Sequence, residues 1–338
     1  MKITILGAGG FIGSHLVEYL LGRSEHEVVG VDLSGEKLEG IDGPNFTFMK
    51  ADVHEIPDQV LRDADVVVDL IAYANPSIYV ESPLDVFKLN FQANLDVVEA
   101  CARHGKRLIQ YSTSEVYGKH QGGSELYSED TSDLIMGPVT KQRWIYAASK
   151  QLLERVIHAY GLRGDLEYSI LRPFNFIGPR IDQLVPAGTM GGPRVFAHFM
   201  SALLEGGPMH LVDGGHVHRT FLSIYEANMA FQAILDHPQS RNEIFNVGHP
   251  DNDITIRDLA GLMMDLYEGL MDRRPRCEVV EVSGETFYGA GYEDMDRVPP
   301  DISKLRALGW EPRMDLSTTF GDTIRYYLEQ DGQLTSST

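Results

Sequence analysis

The chain has 338 residues, enough for one large domain with a smaller second lobe and too few for three domains. A formal net charge of -20 argues against a general nucleic-acid or membrane surface, so a phosphate-bearing ligand has to be held by local arginines and backbone amides. Cys101 and Cys277 make no disulfide framework, no apolar run is long enough to span a bilayer, and the short apolar N-terminus does not read as a signal peptide, which together suggest a reducing, cytoplasmic setting.

Lys2–Leu6 reads as a strand that feeds Gly7-Ala8-Gly9-Gly10-Phe11-Ile12-Gly13 and then the helical pattern Ser14–Leu21. Strand, glycine turn and helix are the setting a phosphate-binding loop needs. Glycines admit the backbone close to a pyrophosphate, and the amides and dipole of the helix start attract its charge. Gly7, Gly10, Phe11, Ile12 and Gly13 are therefore candidate dinucleotide contacts. Asp32 ends a second apolar strand, Val28–Val31, where an acidic group binds both ribose hydroxyls of NAD and repels the extra phosphate of NADP. The expected cofactor is NAD.

Phe46–Lys50 predicts a third strand. Asp52 and Val53 follow it, placed to meet an adenine, although Asp52 serves equally as the cap of a helix over His54–Leu61. Val66–Ile71 predicts a buried parallel strand with Ala72, Tyr73 and Ala74 at its carboxyl end, where ligands sit in such sheets. Pro83–His104 predicts one long amphipathic helix, and Arg107–Tyr111 the next strand. Ser112, Thr113, Ser114 and Glu115 then emerge at the carboxyl edge of a central strand, as site residues or as a hydroxyl-rich strand end and nothing more. Gly118–Val139 reads as a surface excursion over the site.

Lys141–Tyr160 predicts a helix carrying Tyr146 and Lys150, four apart and so on one face. An ammonium near a phenol favours the phenolate, which takes a proton from an alcohol near neutral pH. The pair is a candidate base wherever a nicotinamide-binding fold surrounds it. After a strand over Tyr168–Leu171, Arg172-Pro173-Phe174-Asn175 breaks the alternation and the chain becomes richer in Gly and Pro. The fold class expected is α/β: a Rossmann-type doubly wound parallel sheet over 1–172, with a returning segment near 215–247. A smaller C-terminal substrate-binding lobe is expected from 173–214 and 248–330, with helices over Ile224–Leu235, Ile256–Met271 and Leu316–Leu328 and a polar tail over 331–338. His216 and His218 offer two imidazoles without a Cys or carboxylate cluster, so no metal is expected.

These residues carry a resemblance. Gly7, Gly10, Gly13, Asp32, the hydroxyl-bearing strand end and Tyr146 with Lys150 resemble the extended short-chain dehydrogenase/reductase superfamily over essentially the whole chain. Within it, S-T-S-E-V-Y-G (112–118), R-W-I-Y-A-A-S-K (143–150), R-P-F-N-F-I-G-P-R (172–180) and F-Y-G-A-G-Y-E-D-M-D-R-V-P-P-D-I (287–302) are similar to the UDP-glucuronic acid decarboxylases. These include the decarboxylase domain of the bifunctional lipid A aminoarabinose-pathway enzyme, and UDP-xylose and UDP-apiose/UDP-xylose synthases are related. The resemblance implies oxidation at C4 of UDP-glucuronic acid with NAD, loss of carbon dioxide, and UDP-xylose or UDP-4-keto-pentose as product. It implies Tyr146 as base, Lys150 as its support and a ribose contact, Thr113 and Ser114 as sugar contacts near C4, and Glu115 with Arg297 as the acid/base pair at the carboxylate. Tyr79, Arg143, Asn175, Arg194, Arg219 and Tyr292 are implied contacts to UDP or the sugar. A homodimer through the helices 83–104 and 141–160 is implied as well. Nucleotide-sugar 4-epimerases and 4,6-dehydratases share Tyr146 and Lys150. Dehydratases carry an Asp-Glu pair in place of Ser114-Glu115, however, and epimerases usually lack the acid. An NAD-binding regulator without turnover is disfavoured, since such proteins commonly lose the Tyr/Lys pair.

Overall fold

The β-branched runs K-I-T-I-L and E-V-V-G-V-D near the N-terminus pair in parallel, Ile3 opposite Val28 and Ile5 opposite Gly30. The computed structural model describes residues 1–23, 25–120, 125–290, 292–293 and 298–334, so Arg297 lies outside the described residues. Its strands are β1 (Lys2–Leu6), β2 (Glu27–Asp32), β3 (Phe46–Lys50), β4 (Val66–Asp69), β5 (Arg107–Tyr111), β6 (Tyr168–Pro173), β7 (Asn175–Ile177), β8 (Gly207–Val212), β9 (His218–Ser223), β10 (Glu243–Val247), β11 (Asp253–Thr255) and β12 (Cys277–Val282). Seven of them form one sheet in the order β10-β6-β5-β4-β1-β2-β3, every pairing parallel. The chain therefore winds outward from β1 in both directions, and the carboxyl ends of β1 and β4 flank the crevice where such sheets take ligands.

Successive strand residues face opposite layers, which explains why the central strands are apolar throughout. Ile3, Ile5, Val66 and Val68 pack with Leu16, Val17 and Phe231 on one face, whereas Leu6, Val67 and Leu108 pack with Val98, Leu153 and Ile157 on the other. The helix Phe11–Leu21 leaves the glycine turn directly, and Asn94–His104 and Trp144–Leu162 cover the opposite layer. Strands β11, β9 and β7 make a three-stranded sheet, and β12 pairs with β8 in parallel. Among the described residues no helix is long and apolar enough to cross a membrane.

Several elements depart from the sequence expectation for local reasons. Strand β4 ends at Asp69 rather than Ile71, because the Asp69 carboxylate accepts the Ile71 amide at 3.0 Å and turns the chain. The expected helix 83–104 is divided. A short helix Pro76–Glu81 precedes it, Ser82 breaks the chain before Pro83, and a single π turn, Lys88–Ala93, interrupts the run before Asn94–His104. In that turn Asn90 clasps the backbone of Tyr73, accepting its N–H at 2.8 Å and donating to its carbonyl at 3.0 Å. Pro57 likewise splits 53–62 into a 3₁₀ turn and a five-residue helix, and Asp52 caps the first by accepting the His54 amide at 3.0 Å. The loop after Gly118 is tied down, with Gly118 bridged to Ile135 and Tyr127 to Pro300.

Candidate active site

The glycine turn closes on its own backbone. A Cβ on Gly9 would lie 1.8 Å from the Ser34 carbonyl oxygen, and one on Gly13 would lie 2.2 Å from that of Gly7, so neither position admits a side chain. Gly7 itself has φ of 84°, in the region glycine tolerates. Asp32 at the end of β2 binds this turn, accepting from Gly9 N at 2.9 Å and from Ser34 N at 3.1 Å. Its carboxylate is thereby held beside the start of the helix Phe11–Leu21, whose first amides face the turn. Phe11 is buried, 5.9 Å from the guanidinium of Arg194.

Tyr146 and Lys150 lie one turn apart on the helix Trp144–Leu162, and both are buried. Lys150 Nζ donates to the carbonyls of Tyr111, at 3.2 Å, and Ile71, at 3.5 Å, the residues that end β5 and follow β4. The ring of Tyr146 stacks on Tyr79 in a small apolar cluster with Val86 and Ala72. Thr113 and Ser114 are buried where β5 ends, and Thr113 Oγ1 accepts the amide of Glu115 at 3.1 Å, opening a 3₁₀ turn over Ser114–Tyr117.

One cavity gathers the polar residues. Glu115, Arg143, Tyr79, Asn175, Arg194, Arg219 and Tyr292 all line it, although they come from the short helix Pro76–Glu81, the turn after β5, the starts of the helices Trp144–Leu162 and Val195–Glu205, β7, β9 and the C-terminal third. Arg143 Nη2 donates to Glu115 Oε2 at 3.2 Å, with both side chains largely withdrawn from water. The guanidinium also lies 5.2 Å from the Trp144 ring and 6.0 Å from that of Tyr292. Arg194 is clamped by Asp182, with its closest contact at 2.7 Å. Asn175 donates to the Thr220 carbonyl at 2.9 Å, and Arg219 to that of His218 at 2.7 Å. Aromatic residues close the far end, where Phe287 meets His198 and His210 edge-on at 5.1 and 5.7 Å. Burial holds the His198 imidazole below its ordinary range.

The NAD dependent epimerase/dehydratase family model matches residues 3–248. The PbgP3 protein from Burkholderia pseudomallei is 33% identical, with 98% of this chain and 97% of that one covered at a TM-score of 0.86. The chain belongs to the NAD-dependent epimerase/dehydratase family. A UDP-N-acetylglucosamine 4-epimerase from Methanobrevibacter ruminantium M1 is 25% identical over 97% of this chain and 98% of its own, with a TM-score of 0.81. A UDP-glucuronic acid 4-epimerase from Bacillus cereus is 24% identical over 98% of this chain and 100% of its own, at 0.79, a likeness of fold.

The family's cofactor is NAD, and this chain's residues fit it. The side-chain-free approach at Gly9 and Gly13, the helix start and the Asp32 carboxylate would hold the pyrophosphate and the adenosine ribose. Asp52 stands at the end of β3 with one oxygen already on His54, and Val53 begins the turn after it.

The structure brings all six expected sugar-nucleotide contacts to one wall system, together with Glu115. The ring of Tyr146 stacks on Tyr79, a residue of that wall, and Glu115 pairs with Arg143. The Arg297 partner expected for Glu115 lies outside the described residues. His218 is bonded to Asp253 at 2.8 Å, and no group of three or more metal-binding side chains occurs among the described residues. Sequence reasoning missed Gly9, Asp182, His198, His210 and Glu293. Glu293 accepts from Lys119 at 2.7 Å and from Trp144 Nε1 at 2.9 Å, fastening the C-terminal segment over the start of the Tyr146 helix. The acidic run E-D-M-D around it carried no periodic signal that would have marked this role.

Proposed function

We propose that the chain decarboxylates UDP-glucuronic acid through a 4-keto intermediate. The observation that carries this reading is the Glu115–Arg143 pair, a carboxylate and a guanidinium 3.2 Å apart, lining the cavity that also holds Tyr79, Asn175, Arg194, Arg219 and Tyr292. It supplies both a proton-transfer group and a cation for a carboxylated sugar at the edge of β5. Bound NAD supplies the acceptor for the C4 hydride and can return it.

The chain's own residues do the rest. Tyr146, with Lys150 one turn away, takes the O4 proton as the alcohol becomes a ketone. That ketone stands β to the carboxylate, so breaking C5–C6 releases carbon dioxide and leaves the electron pair in an enolate on O4. The hydroxyls of Thr113 and Ser114 stabilise that oxygen, Arg143 orients the carboxylate before cleavage, and Glu115 delivers or relays the proton to C5. Arg194, Arg219 and Asn175 hold the nucleotide, and the aromatic end around Phe287 takes the base. Reduction of the ketone gives UDP-xylose; earlier release gives UDP-4-keto-pentose.

The test is incubation with UDP-glucuronic acid and NAD, following carbon dioxide, NADH absorbance and the sugar nucleotide by chromatography. Stoichiometric carbon dioxide with a pentose nucleotide is expected. Conversion to UDP-galacturonic acid with the carboxylate retained would replace this reading with 4-epimerisation.

A further inference from the structure

Asp69 carries a buried carboxyl group that the reaction above does not use. It closes the three-valine strand β4 at 0% exposure, with Oδ1 accepting the Ile71 amide at 3.0 Å and Oδ2 buried without a hydrogen-bond partner among the described residues. An uncompensated carboxylate in the middle of a parallel sheet is strongly destabilising. Lys150 poses the mirror problem, an ammonium 1% exposed whose hydrogen bonds to Tyr111 and Ile71 go to neutral carbonyls. Both side chains hang on the same strand-end peptides. Asp69 fixes the amide of Ile71, whose carbonyl receives Lys150. Gln110, opposite Asp69 in the β4–β5 register, donates to the carbonyls of both Asp69 and Tyr111 at 3.3 Å.

We propose that Asp69 is a positioning residue, the buried counter-charge that holds the Lys150 ammonium at the ends of β4 and β5 and keeps it charged one turn from Tyr146. This rests on the assignment of Tyr146 and Lys150 as the base pair. The other charged neighbour of Lys150 is Glu154, and that carboxylate is already gripped by Arg172 through bonds of 3.1 and 2.7 Å. From the helix Asn94–His104, Cys101 faces Asp69 as a thiol whose ionisation burial and the carboxylate both suppress, and Asn94 donates to the Ile71 carbonyl at 3.3 Å. Tyr111, from β5, is likewise kept protonated by burial. Burial lowers the pKa of Lys150, and Asp69 is the first group opposing that; reciprocally, burial raises that of Asp69 and Lys150 opposes it.

Asp69→Asn preserves shape and removes the charge. Carbon-13 labelling of lysine Cε, with the Lys150 resonance assigned by its loss in Lys150→Met, reads the ammonium directly in the NAD-loaded protein without any sugar nucleotide. The midpoint for Lys150 is expected to fall by about 1 pH unit in Asp69→Asn, and the alkaline limb of kcat to move down with it while KM stays near its original value. A stability measurement covers the case in which that variant folds poorly. Lys150→Met leaves Asp69 unpaired, so Asp69→Asn/Lys150→Met is expected to unfold at higher urea than Lys150→Met alone above neutral pH. An unmoved Lys150 midpoint, or a double variant no more stable than Lys150→Met, overturns the proposal. Because the titration and the unfolding need no substrate, an error in the substrate assignment would leave them intact and show only in turnover.

Discussion

The ring of Tyr79 lies parallel to that of Tyr146, with centroids 4.5 Å apart and planes 7° apart. Tyr79 forms the cavity wall, and its phenol stays protonated because burial, then the neighbouring Tyr146 and Glu115, push its ionisation far up. The stack fixes the plane of the proposed base from one side. Tyr79→Ala is expected to lower kcat by about 10²-fold, the scale on which a small misplacement of a catalytic group is felt. Tyr79→Phe keeps the stack and should lose less than about tenfold. Equal losses in both variants would show that the hydroxyl, not the ring, matters.

The Glu115–Arg143 pair gives the second prediction. Glu115→Gln keeps the hydrogen-bonding shape but cannot move a proton, so carbon dioxide release is expected to fall ~10²–10⁴-fold, with NAD affinity unchanged by calorimetry. Because a buried guanidinium stripped of its partner is destabilising, melting temperature must be followed alongside. Carbon dioxide release at the wild-type rate would remove Glu115 from the chemistry.

How far the sequence carried these conclusions differs between elements. The edge strand β3 follows from its aromatic and β-branched residues and the helix Ile256–Met271 from its amphipathic spacing, whereas strands β1, β2 and β5 follow from apolar runs whose burial leaves little choice of conformation. Parallel burial explains why their period is weak but their composition decisive. By contrast, the π turn at Lys88–Ala93 depends on Asn90 reaching Tyr73, a contact between residues 17 apart that no local pattern announces. The same holds for the site. Asp32 and the glycines stand in one contiguous motif, whereas the Glu115 partner and the Glu293 latch are set by tertiary packing of segments far apart in the chain. Gly9 was overlooked because its requirement is the approach of Ser34, not its place in the glycine spacing.

That approach makes a third prediction. In Gly9→Ala the new methyl would meet the Ser34 carbonyl oxygen at 1.8 Å, and backbone cannot yield as a flexible side chain does. The turn must open, breaking the Gly9–Asp32 bond that holds the carboxylate. NAD binding, measured by calorimetry, is expected to weaken by at least about tenfold, the equivalent of one charge-assisted hydrogen bond. Gly43→Ala is the matched control for backbone stiffening, since Gly43, like Gly9, lacks a positive φ and a Cβ there comes no closer than 3.7 Å to another residue.

Glu293 supplies the fourth. Burial raises its carboxyl, but the bonds from Lys119 and Trp144 outweigh that and hold it below the ordinary carboxylate range. As an anion it fastens the segment that carries Tyr292 over Arg143. Glu293→Gln is expected to raise KM for the sugar nucleotide roughly tenfold with kcat little altered, the pattern of a group that contributes to binding and not to the chemical step. A fall in kcat at constant KM would contradict it.

His15 ties stability to pH at the dinucleotide end. It is buried in the helix Phe11–Leu21, its Nδ1 3.0 Å from the Phe11 carbonyl and its ring edge-on to Phe11 at 5.2 Å. Burial lowers its pKa from 6.5 to about 4, against the pull of that carbonyl and with help from Arg180. The unfolded chain therefore takes up a proton at this position first as pH falls. Neutral His15 contributes its full stability above pH 6.5 and loses it as pH falls toward 4, because only the unfolded state gains the proton in that window. Between pH 7 and pH 5 the loss from this group is of the order of 2 kcal/mol. His26, His198 and His249 are also held down by burial, so the wild-type slope contains their contributions. The informative quantity is the difference between wild type and His15→Gln in urea denaturation at the two pH values. Wild type is expected to lose more than the variant by about that amount, and an equal loss would mean that His15 accepts a proton in the folded state.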